Sequence, residues 1–341
     1  MGIKNVYADC AASCPPLPCA VDAFTKWAYA NPNSVHSLGR DARKDLEWAR
    51  ETIAECISAK PEQIAFTPSA TSACRTALSY LNIADCSPYE HKAVDEAVGW
   101  NRTFMCGDAH STAHMLANNE TGEWYDWVVR KLAKDNVVFT DATAAVGQIP
   151  VDVQWLGVHA LAAGAHKFGG IPGIGFLYLR DGITDEDTFP GTPPVALAVA
   201  MASALEYRDL HMNDATEYLY GQQMFLISEI INTIPGAHTN CVGKMRLPNI
   251  LSVRFDGVNA RELLTMLDVN GVYASAGAAC TADADTPSKT LLASGLTEEQ
   301  ALSTIRLSFC PETTPEEFRF VADALRRSVD RVRTLGGVHT L

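Results

Sequence analysis

Asp141 and Lys167 each lie at the end of a short apolar run, Asn136-Val-Val-Phe-Thr-Asp141 and His159-Ala-Leu-Ala-Ala-Gly-Ala-His166-Lys167, and 26 residues separate them. Short apolar runs bounded by polar and glycine residues read as buried strands. Behind Lys167 comes a glycine-rich turn, then another apolar run ending at Tyr178. A lone lysine in a loop is ordinarily a solvated surface group. Desolvated at the end of a buried strand, it has a lowered pKa and forms Schiff bases. Ligands of open α/β sheets gather outside the carboxyl ends of parallel strands, so two such strands would aim Asp141 and Lys167 at one cavity. Pyridoxal phosphate needs that pair: an amine for its aldehyde, and a carboxylate that keeps its ring nitrogen protonated so that the ring takes up electrons.

Other residue types extend the pattern. Thr67-Pro-Ser-Ala70-Thr71-Ser follows the apolar run Gln63–Thr67 and opens a helix to about Leu81. A strand turning into a helix N-terminus through small hydroxyl residues is either an anion site or simply a well-capped helix. Cys280 lies in Ala276-Gly-Ala-Ala-Cys280-Thr, a loop of small residues expected to expose it, which makes it the candidate nucleophile. Arg306, alone among apolar neighbours in Thr304–Phe309, needs an anion, and a substrate carboxylate or a structural salt bridge would serve. Cys10, Cys14 and Cys19 are spaced by four and five residues in a proline-rich segment, as ligands or as small apolar groups. Cys106, His110 and His114 would line one face of a helix and hold zinc, but Gly107 and Asp108 argue against a helix there. Asn118-Asn119-Glu-Thr-Gly122 reads as a turn.

The elements that must position these groups are those of an α/β protein. At 341 residues and 47% hydrophobic content the chain suits two domains with ample core. Gly39–Ile57 is an amphipathic helix, and helical segments follow at Pro194–Tyr207, Ala215–Ile234 and Ala260–Leu267. Strands are expected at Leu247–Phe255, from Val272 and at Thr304–Phe309. The domain reading is a large domain over 16–245, with 1–15 and 246–341 forming a smaller α+β domain that carries the cysteine loop. The net charge of −13, without a basic cluster, disfavours nucleic acid or anionic lipid as partners and favours a small molecule. No stretch is apolar enough to span a bilayer or serve as a signal peptide, so a cytoplasmic protein is expected. The ten cysteines are then not a disulfide framework.

In their order along the chain these motifs resemble the cysteine desulfurases of the class V aminotransferase group, pyridoxal phosphate enzymes of fold type I. The resemblance runs from about Tyr7 to Val332. It rests on Asn31-Pro-Asn-Ser-Val-His-Ser-Leu-Gly-Arg40, Phe66–Thr71, Glu90-His91-Lys-Ala-Val94, Asn118–Gly122, Asp141-Ala-Thr, Ala165-His166-Lys167, Pro248-Asn-Ile250, Ala276–Thr281 and Ile305-Arg306-Leu-Ser308. It implies a large domain with a mixed, mainly parallel sheet plus the smaller α+β domain. It also implies Lys167 as the residue covalently joined to the cofactor, Asp141 on the pyridine nitrogen and His91 stacked on the ring. Ala70, Thr71 and His166 would hold the phosphate, with Thr192 reaching it from a neighbouring subunit. Arg306 and Asn119 would take the substrate α-carboxylate, and Cys280 would form a persulfide.

The reaction so implied converts L-cysteine to L-alanine, with the sulfur passing from Cys280 to an acceptor or iron–sulfur scaffold protein. Lys167 would remove the Cα proton, and His91 would serve the substrate thiol as acid–base partner. The chain departs from the family's pattern where glutamine is replaced by Ala144, where serine before the lysine is replaced by Gly164, and where Arg-Ser is replaced by Phe189-Pro190. Related C–S or C–Se chemistry, such as selenocysteine lyase or cysteine sulfinate desulfinase, is the alternative within enzymes. A weakly active sulfur-carrying relative is the alternative outside them, and the joint presence of Lys167, Asp141, His91, Cys280 and Arg306 argues against it.

Overall fold

The computed structural model describes residues 5–29, 31–104 (backbone only over 100–104), 110–183, 188, 191–277 and 286–336. The chain divides into two compact units. One comprises Ser13–Ala117 and Tyr125–Met212, and the other comprises Met1–Ala12, Asn118–Trp124 and Asn213–Leu341.

The first unit is built on a five-stranded mixed sheet of β2 (Ile64–Thr67), β3 (Ser111–Ala113), β4 (Val137–Asp141), β5 (Ala160–Gly164) and β6 (Gly175–Leu179), in the order β2-β6-β5-β4-β3. Strands β3, β4 and β5 are parallel, whereas β6 runs antiparallel to both β5 and β2. Every residue of β5 and β6 is buried. Such strands are covered on both faces and read as unbroken apolar runs rather than alternating ones. The covering comes from helices α1 (Pro18–Trp27), α2 (Ser37–Cys56), α3 (Ala70–Tyr80), α4 (Lys92–Phe104), α5 (Asp126–Leu132), α6 (Val153–Leu156) and α7 (Val195–Leu210). One core gathers Ala73, Cys74, Ala77 and Leu78 of α3 against Phe139, Ala160, Ala162 and Leu177 of the sheet. That helix is capped as its sequence predicts, with the Ser69 side chain accepting from Ser72 N at 3.1 Å.

The second unit pairs β1 (Val6–Tyr7) in parallel with β9 (Val272–Tyr273), and stacks β10 (Thr304–Ser308), β8 (Ile250–Phe255) and β7 (Ala237–Thr239) into an antiparallel sheet in that order. Its helices are α8 (Met212–Thr233), α9 (Ala260–Val269), α10 (Lys289–Ala293), α11 (Glu298–Leu302) and α12 (Pro315–Gly336). Leu251, Val253 and Phe255 pack against Phe318, Val321 and Leu325 of α12 and Leu263 of α9. Among the described residues no helix is long and apolar enough to cross a membrane.

Candidate active site

In the first unit β4 and β5 lie side by side and parallel, with Asp141 opposite Ala162 in the register. The chain leaves β5 in a single helical turn, Ala165–Lys167, so Asp141 and Lys167 end up at the same edge of the sheet, as the apolar runs predict. Lys167 is half-buried, and its carbonyl accepts from Gln148 Nε2 at 3.2 Å. Asp141 is buried, and its Oδ1 accepts from Thr143 N at 2.9 Å. His166 loses affinity for a proton through burial and then through the Lys167 charge, which bring its pKa down to about 4. It is therefore neutral at neutral pH.

The start of α3 comes to the same edge. A Cβ on Gly175 would lie 2.9 Å from Ala70 N, and one on Gly164 would lie 3.2 Å from Ala70 Cβ. Glycine at both positions lets the first turn of α3 sit directly against β5 and β6. Its leading amides, at Ala70 and Thr71, have no acceptor within the helix and carry the positive end of its dipole. Gly164, a departure from the family's serine, thus has a packing reason in this chain.

A second carboxyl lies in this region. Glu90 is half-buried with its Oε2 out of reach of solvent; its Oε1 accepts from Ser87 Oγ at 2.7 Å and Met115 N at 2.6 Å, and its Oε2 has no partner among the described residues. Burial first, then the charge of Asp141, push it up to about 8 against the pull of Ser87, so it stays protonated at neutral pH. Cys74 lies on α3, and burial followed by the Asp141 and Glu90 charges raises its thiol well above the usual thiol range. His91 caps α4, accepting at Nδ1 from Ala93 N at 3.1 Å.

Pyridoxal phosphate can be tested against this edge. The buried Thr143 Oγ1 has no partner among the described residues, although it is two residues from Asp141. A hydroxyl left in that state asks for a polar group that the chain does not provide. With the Asp141 carboxyl, a half-buried lysine, a neutral histidine and a helix start at the same edge, the donor set fits a protonated ring nitrogen, an aldehyde and a phosphate. Thr143 also stands beside Ala144, one of the chain's departures from the family's pattern. Sequence reasoning gave no role to Glu90, Cys74 or Thr143. The one signal available was the four-residue spacing of Cys74 from Ala70, which places both on one face of α3.

In the second unit Arg306, on β10, is 2% exposed and forms an ion pair from Nη2 to Asp9 Oδ1 at 2.6 Å. Its Nη1 donates to the Asn119 carbonyl at 2.8 Å, and its Nε is buried without a partner among the described residues. Of the two anions open to Arg306 in the sequence, the structure contains the salt bridge. Asn118 builds the turn before it, its Oδ1 accepting from Glu120 N at 2.9 Å and Thr121 N at 2.8 Å. Gly122 closes that turn at φ 76°, in the left-handed region, where a Cβ would meet Ile250 Cβ at 3.1 Å.

Cys280 lies outside the described residues, as do Phe189 and Pro190. The flanks of the Cys280 segment are held firmly: Arg306 N donates to Ser275 O at 2.7 Å, and Ser288 Oγ donates to Glu120 Oε2 at 2.6 Å. Thr192 is exposed, just before α7. Cys10 is buried in the second unit, whereas Cys14, buried in the first, lies 3.7 Å by its Sγ from Arg208 Nη2. Residues 111–113 are strand, so His110 and His114 do not share a helical face, and Cys106 falls outside the described residues.

The model of the aminotransferase class-V family matches residues 6–98 and 107–321. The chain is 31% identical to the cysteine desulfurase IscS of Dictyoglomus turgidum, over 97% of this chain and 96% of that one. It is 30% identical to the IscS-like cysteine desulfurase of Mycobacterium tuberculosis, over 96% and 97%. Among solved structures a NifS-like protein superposes with a TM-score of 0.86 at 26% identity, covering 96% of this chain and 100% of that one. The apo cysteine desulfurase of Thermococcus onnurineus superposes with a TM-score of 0.81 at 19% identity, covering 96% and 95%, a likeness of fold.

Proposed function

The chain belongs to the aminotransferase class-V family, and on that premise we propose that its pyridoxal-phosphate-dependent cysteine desulfurase reaction runs through Lys167, Asp141, His91, Arg306 and Cys280. The observation that carries this reading is the placement of Asp141 and Lys167 at one edge of two adjacent parallel strands. The bound cofactor supplies an aldehyde for a covalent link to an amine and a ring that takes up electrons from Cα.

The chain's residues do the rest. Asp141 would hold a proton on the ring nitrogen, with the protonated Glu90 and Cys74 beside it. The Ala70 and Thr71 amides and the neutral His166 would hold the phosphate, Thr143 would take the place of the missing glutamine, and His91 would stack on the ring. Lys167 holds the cofactor at rest. Lys167 Nζ would also be the base that takes the Cα proton of the substrate. Arg306 and Asn119 hold the L-cysteine carboxylate, and the buried Nε of Arg306 is a donor still to be used. The Cys280 thiolate attacks the substrate sulfur, the C–S electron pair goes to the carbon side, and the carbon fragment leaves as L-alanine after protonation. Cys280 keeps the sulfane sulfur and passes it to an acceptor such as an iron–sulfur scaffold protein.

In this reading the unit of Ser13–Ala117 and Tyr125–Met212 binds the cofactor, and the unit that includes Asn213–Leu341 carries the cysteine loop. The working form is a homodimer in which Thr192 serves the partner's phosphate. The test is Cys280→Ala. It should bind cofactor and change its visible spectrum with L-cysteine as the parent does, yet place no sulfane sulfur on the protein. Sulfane sulfur found elsewhere in that variant by mass spectrometry would move the nucleophile.

A further inference from the structure

Cys10 and Cys310 are 300 positions apart in the chain and meet inside the second unit, with their Sγ atoms within 4.8 Å of each other. The backbone holds them there. Asp9 bridges Ser308 in parallel, Cys10 N donates to Ser308 O at 3.2 Å, Ser308 N donates to Ala8 O at 2.8 Å, and Ala11 N donates to Ser308 Oγ at 2.9 Å. The two thiols differ in access. Cys10 is 3% exposed, whereas Cys310 is half-buried in the turn after β10, and its Sγ is 3.6 Å from Thr313 Oγ1. A hydroxyl there can donate to a thiolate and stabilise it. An accessible thiol backed by a buried one is the arrangement of an attacking cysteine with its resolving partner.

We propose that Cys10 and Cys310 are a reversible dithiol–disulfide site whose oxidant is a low-molecular-weight disulfide of the cystine or glutathione-disulfide class. The Cys310 thiolate attacks one sulfur of that disulfide and expels one small thiol. The Cys10 thiolate then attacks the Cys310 sulfur and expels the second. The two protein sulfurs lose two electrons and two protons, and the small disulfide gains them as two thiols. Transient disulfides of this kind are compatible with a reducing compartment. The bond would join the segment carrying Asp9 to the segment carrying Arg306, whose side chains already form an ion pair at 2.6 Å. It would therefore resist any movement that releases Arg306 to another carboxylate. A thiol-using enzyme would then be held back when its substrate pool is oxidised. This last consequence rests on the role proposed for Arg306, whereas the disulfide does not.

The experiment uses the cofactor-loaded full chain, treated anaerobically with oxidised glutathione, then alkylated, digested and mapped. The expected product is a Cys10–Cys310 cross-linked peptide lighter by two hydrogens and reversed by reductant. Cys10→Ser should abolish the Cys10–Cys310 cross-linked peptide, and Cys310→Ser should leave Cys10 fully alkylated. Binding of L-alanine, which has the carboxylate but no thiol to reduce the bond, should weaken several-fold in the oxidised protein. Full alkylation of both cysteines after oxidant would overturn the proposal. So would Cys10 joined to a different cysteine, or a stoichiometric metal in the purified protein that shields both thiols until it is chelated. A cross-link without any change in L-alanine binding would keep the site and remove its link to Arg306.

Discussion

Glu90 and Arg306, one in each unit, both place polar atoms of an ionisable head group out of reach of solvent, and their charges are settled in opposite ways. Glu90 has a hydroxyl and an amide as partners and the negative Asp141 nearby, so it keeps its proton. Arg306 cannot give up a proton at any ordinary pH and is met by Asp9 instead. Burying a lone charge costs far more than either remedy. A neutralising proton depends on pH, whereas a neutralising counter-ion depends on one particular residue. The two units should therefore respond to different perturbations.

The largest expected effect is outside that balance but sets its scale. Lys167→Ala should bring alanine release from L-cysteine to background, and borohydride reduction of the parent followed by peptide mapping should label Lys167 alone. Label on another lysine would remove the basis for placing the site at this edge.

Asp9→Ala should be the most damaging change for stability, since it leaves a guanidinium 2% exposed without its counter-ion. A loss of about 3–5 kcal/mol is expected, read as a lower denaturant midpoint at unchanged slope. Asp9→Ala with Arg306→Leu should recover most of that loss. A single variant as stable as the parent would mean that Arg306 is satisfied by other means.

Glu90 sharpens the contrast through pH. Its folded-state pKa is raised from 4.5 to about 8, so between those values the folded chain holds a proton that the unfolded chain has released. Stability must then fall as pH rises through that window, by up to about 1.4 kcal/mol per unit from this group, and level off above it. Glu90→Gln, neutral at every pH, should remove that slope in the cofactor-free protein. An equally steep slope in the variant would show that another group titrates there.

The smallest effect belongs to Thr143. Replacing its partnerless buried hydroxyl in Thr143→Val should leave the cofactor-free protein unchanged or more stable by about 1 kcal/mol, while cofactor affinity, measured by equilibrium dialysis, falls several-fold. Unchanged affinity would show that the hydroxyl meets nothing on the cofactor.

What the sequence reveals differs between the units for a related reason. β4, β5 and β6 are buried on both faces, so each is a continuous apolar run, and Asp141 and Lys167 stand out as the polar residues at its end. Helix α3 announces itself through its cap, and α2 through its stripe of Leu46, Ala49 and Ile53. The partners of Arg306 are not legible in that way. Asp9 and the Asn119 carbonyl lie 297 and 187 positions away, and no periodicity connects them. The same applies to Cys310, an unremarkable residue in the sequence until β10 places it beside Cys10. Glu90 belongs to a recognisable motif, but its protonated state is a property of what surrounds it, and that is set by tertiary packing.

The parallel pairing of β1 with β9 also has a consequence in time. Val6 pairs with Val272, and Asp9 reaches Arg306, so the second unit closes around residues from the two extremes of the chain. During synthesis at about 5–20 residues per second, the first of these residues leaves the ribosome roughly 15–60 seconds before its last partner exists. The five-stranded sheet of the first unit, finished at Leu179, can be in place well before then. A nascent chain therefore carries a solitary amino-terminal strand, apolar at Val6 and Ala8, through most of its own production. A slowly translated or stalled message should yield a species with a finished five-stranded sheet and an unpaired β1, and protease should cut at β1 first.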